Sequence, residues 1–281
     1  MSYYSYIKDT MDGKASAELL TKVRSENPVI HHITNYVTVN DCANITICVG
    51  ASPVMADSPD EVEEMVKIAG ALVLNIGTLN KELVESMLIA GKAANDLDIP
   101  VILDPVGVGA TRLRTDSALR IIDELKISVI KGNAGEIGVL AGEKATVRGV
   151  DSGTLEGSFA GVALKCSELT GAVVAISGEK DIVTDGKTVL SIENGHYMMG
   201  NLSGTGCMAA SLSGAFAAVS GNYVESTASA LSLFGLCGEK ASVYAKGPYS
   251  YRTGICDELF RLKPVELAVD AKIKDITGNL E

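Results

Sequence analysis

The run ALVLNIGTLNKELVESMLIAGKAANDLDIPVILDPVGVG, residues 71–109, carries three elements in order. Residues 71–76 read as a strand and residues 82–94 as a helix. Residues 101–103 form a second, buried strand, stopped by Asp104-Pro105. A strand, a helix-length crossover and another strand make a β-α unit, and repetition of that unit builds a mostly parallel sheet.

The same rhythm extends outward on both sides. Upstream, residues 29–33 read as a strand, 40–49 as a helix, and 60–69 as a helix opened by Ser58-Pro59 with acidic residues in its first turn. Downstream, 117–125 read as a helix, and 128–131 and 172–176 as strands. Between residues 181 and 192 the pattern changes to two short strands around Asp185-Gly186, a dipeptide suited to a tight hairpin, so an antiparallel edge is expected. From Gly206 onward the chain reads as mainly helical, over 206–219 and 224–245, until Lys246-Gly247-Pro248 breaks the pattern. The expected fold class is α/β, a central mostly parallel sheet flanked by helices with an antiparallel edge hairpin.

Length and composition agree with one domain over residues 1–281, although two small domains are also compatible. With 281 residues, 47% of them hydrophobic, the chain can bury a sizeable core without disulfide or metal staples. Its six cysteines are scattered without C-x-x-C pairing, which argues against a disulfide framework and a zinc site. A formal net charge of −11 disfavours nucleic acid or an anionic membrane as partner, since such binding relies on clustered Lys and Arg. The Tyr-rich start lacks the pattern of a secretory signal, and no apolar run reaches membrane-spanning length. A cytoplasmic location is expected. The glycine-rich, acidic stretch 149–157 reads as a loop.

Chemistry concentrates at strand ends and at one glycine turn. Gly204-Thr205-Gly206-Cys207 precedes a helix, so its backbone N–H groups are open to an anion. Read alone, the turn is about as compatible with simple helix capping. Gly204-x-Gly206-x-x-Ala209 also matches a dinucleotide fingerprint, but it comes late in the chain and follows a poor strand at 196–201. No P-loop is present. Cys207 lies in the first helical turn, where the dipole can lower a thiol pKa. A Cys-His hydrolase would need His31, His32 or His196, and no local signature supports it. Asp104 lies just past the carboxyl end of a buried strand, and Glu136 follows the next strand in the same way. Carboxylates there can hold Mg²⁺ together with substrate phosphates. Lys131 and Ser177 follow as candidate phosphate contacts, each with an ordinary surface role as the alternative.

Taken together, these residues resemble the hydroxyethylthiazole kinases, thiamine-salvage enzymes with a ribokinase-like fold. The resemblance runs from about Val29 to Val219. It passes through Ile33-Thr-Asn35-Tyr-Val, Gly50-Ala-Ser-Pro-Val-Met55-Ala, Ala71-Leu-Val-Leu-Asn75-Ile-Gly-Thr-Leu, Val101-Ile-Leu-Asp104-Pro-Val-Gly, Gly132-Asn-Ala-Gly-Glu136-Ile, Gly149-Val-Asp151 and Gly204-Thr-Gly-Cys207. It implies ATP- and Mg²⁺-dependent phosphorylation of the primary alcohol of 4-methyl-5-(2-hydroxyethyl)thiazole by a homotrimer with sites between subunits. By motif position it puts Asn35 and Met55 at the thiazole pocket with Gly204 at its border, Asp104 and Glu136 at the metal and phosphates, and Lys131 and Ser177 at ATP. Catalysis falls to Gly204, Thr205, Gly206 and Cys207. In the wider ribokinase-like group an Asp stands where Cys207 does, so the thiol is expected to orient the hydroxyl and serve at best as a weak base. Lys131 stands where an Arg is familiar, and Ser177 where a Thr is; Lys lacks the bidentate fork of Arg. Two readings compete: a hydroxymethylpyrimidine or pyridoxal kinase on the same fold, and a nucleotide-binding regulator without turnover.

Overall fold

A computed structural model describes residues 13–143 and 156–278. The tyrosines at 3, 4 and 6, most of the 149–157 loop and the Gly149-Val-Asp151 motif lie outside the described residues. The chain begins with α1 (Gly13–Glu26), β1 (Val29–Ile33), α2 (Val39–Val49), β2 (Ser52–Val54), α3 (Val62–Val66), β3 (Ala71–Asn75), α4 (Lys81–Asp96) and β4 (Val101–Asp104). It continues through α5 (Arg112–Glu124), β5 (Val129–Asn133), α6 (Ala134–Leu140), α7 (Glu156–Thr170), β6 (Val173–Ser177), β7 (Asp181–Thr184) and β8 (Val189–Ile192). A 3-10 helix at Tyr197–Asn201 leads into α8 (Thr205–Ala217), α9 (Tyr223–Ser242), α10 (Pro248–Arg261), α11 (Pro264–Asp270) and β9 (Ile273–Asp275).

The strands form one sheet in the order β2-β1-β3-β4-β5-β6-β7-β8-β9. Neighbours from β2 to β6 pair parallel, and the pairs β6–β7, β7–β8 and β8–β9 are antiparallel. The expected mixed sheet is therefore present, with three antiparallel strands beyond β6 where the sequence suggested two. The hairpin loop is also longer than a two-residue turn. Thr184 pairs with Val189, and Asp185 closes the intervening loop by accepting from the N–H groups of Lys187 and Thr188 at 2.9 and 2.8 Å.

Alternation along the strands divides the core. Ile30, Val73, Ile102 and Val129 face one layer, packed by α1, α2 and α8–α11. Leu72, Leu74, Val101, Leu103 and Ile130 face the other, packed by α3–α7. Strands buried on both faces read as continuous apolar runs, which is why 71–76 and 101–103 were legible. The helix expected over 60–69 is confined to Val62–Val66. Beyond it the chain tightens into three-residue turns, Ile68 N–H to the Met65 carbonyl and Ala69 N–H to the Val66 carbonyl, before Gly70 enters β3.

Strand β1 has β2 on one side and β3 on the other, so the direction of winding reverses between β1 and β3. In open parallel sheets, ligands bind outside the carboxyl ends of the strands at such a switch point. Asn35, Asn75 and Asp104 all stand there, following or ending β1, β3 and β4.

Candidate active site

Four side chains from separate elements meet at this switch point. Asn75 and Asp104 are register partners at the ends of β3 and β4, and the Asn75 Nδ2 donates to Asp104 Oδ2 at 2.6 Å. The same amide nitrogen donates to Cys207 Sγ at 3.3 Å. Asn35 Nδ2 donates to Asn75 Oδ1 at 2.9 Å and to Cys207 Sγ at 3.4 Å. Asn35 Oδ1 in turn accepts from the N–H groups of Val37 and Thr38 and from the Thr38 hydroxyl, which fixes the start of α2. All four residues are buried. Buried polar groups are tolerated when hydrogen-bonded, and this cluster meets that condition side chain by side chain.

Electrostatics at the cluster oppose the expectation for Cys207. Its thiol pKa is raised, first by burial and then by the Asp104 charge, while contacts from Thr38, Asn35 and Asn75 pull the other way. The predicted lowering at the helix N-terminus does not prevail, because the thiol is third in α8, out of solvent and facing a carboxylate. None of its hydrogen-bond partners is a histidine: His31 and His32 lie within β1, and the His196 ring accepts from the Met198 N–H at the 3-10 helix. Burial pushes Asp104 up to about 6; Lys131 lowers it and Glu136 raises it.

The glycine turn is built as expected. Gly204 caps α8 with φ at +92°, and a Cβ there would sit 2.7 Å from Thr38 Cγ2, so both conformation and space call for glycine. With no capping side chain, and with Met208 N–H closing the first helical bond onto the Gly204 carbonyl, the N–H groups of Thr205, Gly206 and Cys207 have no partner inside the helix. The Thr205 hydroxyl donates to the Met199 carbonyl at 3.3 Å.

A cleft of about 1050 Å³ opens beside this turn, lined by Lys131, Ser177, Thr205 and Gly206 together with Asp181 and Phe234. Lys131 is only 3% exposed. The Ser177 hydroxyl donates to the Gly132 carbonyl at 3.3 Å. The cleft thus gathers Lys131 and Ser177, the residues expected at ATP, with Thr205 and Gly206 of the glycine turn, and does not include Asn35, Met55, Asp104, Glu136, Gly204 or Cys207. Met55 follows β2 in a loop whose Ala56 carbonyl accepts from His31 Nε2 at 2.7 Å. Glu136 is the third residue of α6 and has a structural role of its own. Its carboxylate accepts from the N–H groups of Asn133 and Gly107, both at 2.8 Å, completing a capping box and tying down the loop after β4.

Sequence reasoning gave no role to Asn75, Thr38 or Asp181. Asn75 carried the same signal as Asp104, a polar residue ending a buried strand. Asp181, pushed up to about 6 by burial against the opposing Gly178 N–H and Lys131, opens β7 after the Ser177–Asp181 turn, a segment whose hydroxyl and backbone donors, and not this carboxylate, are the phosphate candidates in the sequence.

This is a ribokinase-like α/β fold, shared with solved small-molecule kinases such as the pyridoxal kinase from Staphylococcus aureus in complex with AMP-PCP (TM-score 0.56, 16% identity, 76% of this chain and 88% of that one). The chain belongs to the hydroxyethylthiazole kinase family, which it matches over residues 20–265, and is an enzyme of that family, a phosphotransferase. It is 58% identical over 264 residues to the hydroxyethylthiazole kinase of Methanocella arvoryzae, covering 94% of this chain and 99% of the relative. The hydroxyethylthiazole kinase of Thermoanaerobacter sp. is 52% identical, with 92% and 98% covered. A solved hydroxyethylthiazole kinase from Pyrococcus horikoshii OT3 superposes with a TM-score of 0.87 at 40% identity over 93% of this chain and 99% of that chain.

Proposed function

We propose that the protein transfers the γ-phosphoryl group of ATP to the primary alcohol of 4-methyl-5-(2-hydroxyethyl)thiazole, with Mg²⁺, within thiamine salvage. The observation that carries the reading is the unpartnered α8 N-terminus, with the buried Lys131 ammonium beside it, at the wall of the cleft. Phosphoryl transfer asks a protein chiefly for positioning and charge neutralisation, and backbone donors that are already in place contribute without reorganising. The alcohol oxygen attacks the γ-phosphorus as the bond to the β–γ bridging oxygen breaks, and the hydroxyl proton passes to an oxygen of the transferred phosphoryl group and from there to solvent. The N–H groups of Thr205, Gly206 and Cys207 and the Lys131 ammonium bear the charge on the transferring group. Cys207 holds the hydroxyl; its raised pKa makes its thiolate scarce near neutrality, so its share in accepting the proton is small.

Asp104 and Glu136 are the residues that would hold a divalent cation. Among the described residues no three His, Cys, Asp or Glu side chains gather around a common point. Two carboxylates completed by phosphate oxygens are nevertheless how Mg²⁺ is usually bound. The mutual repulsion that helps raise Asp104 is also of the kind a cation relieves. When bound, Mg²⁺ supplies charge neutralisation to the phosphates and aligns them.

Asn35, Met55 and Gly204 are assigned to the thiazole pocket and Ser177 to ATP. A homotrimer with shared sites is part of the same reading. It is supported by Tyr36 and Val37, which directly follow Asn35 yet are 79% and 61% exposed, leaving an apolar flank for another copy to cover. We also assign the enzyme to the cytoplasm, where ATP is available; no helix among the described residues is long and apolar enough to cross a membrane.

The decisive experiment incubates the purified protein with ATP, Mg²⁺ and a panel of thiazole, pyrimidine and pyridoxal alcohols, with product detected by mass spectrometry. The thiazole phosphate is expected to dominate; equal or greater phosphorylation of the others would overturn the substrate assignment. Light scattering is expected to give three times the 29.3 kDa chain mass.

A further inference from the structure

Asn75 is only 1% exposed, yet every hydrogen-bonding position of its amide is used. Its oxygen accepts from Asn35 Nδ2 and from the Gly77 N–H, both at 2.9 Å, and its nitrogen donates to Asp104 Oδ2 at 2.6 Å and to Cys207 Sγ at 3.3 Å. A backbone N–H can only donate, so the Gly77 contact alone determines which end of the amide is oxygen. The nitrogen is thereby aimed at Asp104 and Cys207 without ambiguity. The Gly77 loop is itself held. Arg114 donates to the carbonyls of Ile76, Gly77 and Val106 at 3.0, 2.7 and 2.7 Å, binding together the segments that follow β3 and β4.

This arrangement has more constraint than packing needs. A residue serving only to fill the end of β3 would be satisfied by an apolar side chain, as at every other position of that strand, Ala71 to Leu74. From this geometry we infer that Asn75 is a positioning residue of the active site, pinning one oxygen of Asp104 so that the other is left for the cation–phosphate assembly, and holding Cys207 in register with it. The inference rests on the phosphoryl-transfer reading above and gives a role to a residue outside the cleft. Its physical basis is that of outer-shell partners of metal-binding carboxylates. Such groups never touch the metal, but removing one typically costs about 10–100-fold in metal affinity or activity.

The test is Mn²⁺ binding, read by electron paramagnetic resonance, to the full-length protein in the presence of a non-hydrolysable ATP analogue. Asn75→Ala is expected to weaken Mn²⁺ affinity by about 10–100-fold. Asn95→Ala, which removes a side-chain amide bonded only to the Lys126 backbone, is expected to leave it within about threefold, a spread of under 1 kcal/mol at 1.4 kcal/mol per tenfold. Combining Asn75→Ala with Asp104→Asn is expected to cost no more than Asp104→Asn alone, since the two act through one carboxylate. Thermal unfolding identifies variants that fold, and Asn75→Ser replaces Asn75→Ala should the latter fail. Wild-type affinity in a folded Asn75 variant, additive losses in the double variant, or no Mn²⁺ binding by the wild type would each overturn the inference. The outcome is independent of substrate identity: a protein that binds Mn²⁺ as described but phosphorylates no thiazole alcohol sustains the role of Asn75 and sinks the substrate assignment.

Discussion

The Lys131 ammonium lies 3.2 Å from the position a Cβ on Gly206 would occupy. Strand β5 therefore delivers a cation to the first turn of α8, and two sources of positive potential, one formal and one from the helix terminus, converge on the cleft. Glycine at 206 keeps that approach open.

From this contact we expect Lys131→Met to lower kcat by about 10²–10³-fold, the usual cost of losing one charge-stabilising donor. Lys131→Arg retains the charge and restores the residue familiar in the resembling kinases, so it should stay within about tenfold of wild type. Steady-state kinetics with MgATP varied separates the two; a full-rate Lys131→Met enzyme would remove Lys131 from the mechanism.

Cys207→Ser tests the thiol. General-base catalysis contributes about 10²–10⁴-fold where it operates. Burial and Asp104 hold the Cys207 pKa up, so a loss below about 10²-fold is expected. Complete loss of turnover in a folded, ATP-binding variant would show that sulfur does more than orient the hydroxyl.

Gly204→Ala should destabilise the protein by about 1–3 kcal/mol, the scale of a non-glycine residue forced into a sparsely populated backbone region. The φ of +92° and the 2.7 Å approach to Thr38 Cγ2 both oppose the new methyl group. A lower urea midpoint at unchanged slope is the expected measurement. Because Thr38 is bonded to Asn35, turnover should fall with it.

Asp181 links stability to pH. Its folded pKa of about 6 lies above the ordinary 3.8, so the folded state holds the proton more tightly than the unfolded chain. The resulting penalty is present in full above pH 6 and disappears as pH falls through the window toward 4. Asp181→Asn keeps an oxygen for the Gly178 N–H, and should raise Tm at pH 7–8 by about 2–4 °C, as roughly 1 kcal/mol does in a chain of this size. Calorimetry below pH 4 should find the two proteins alike; an Asp181→Asn variant less stable at pH 8 would mean the carboxylate is held charged by Lys131.

The amino-acid sequence by itself determined the β-α rhythm, the mixed sheet, the glycine turn and the family. Buried strands must be apolar on both faces, helices must carry caps, and a positive φ asks for glycine, so those features are written locally. It left unread the short outer elements β2 and β9, whose three residues each are too few for any period to show, and α1, α7, α10 and α11. Tertiary structure alone decided the site's internal order. Asn35, Asn75, Asp104 and Cys207 are separated by 29 to 172 positions along the chain, and only strand register and the seating of α8 bring them into one hydrogen-bonded cluster. It also decided the state of Cys207. Position in the first turn of a helix argued for a lowered pKa, but burial and the neighbouring Asp104 carboxylate, both properties of the folded surroundings, raise it instead.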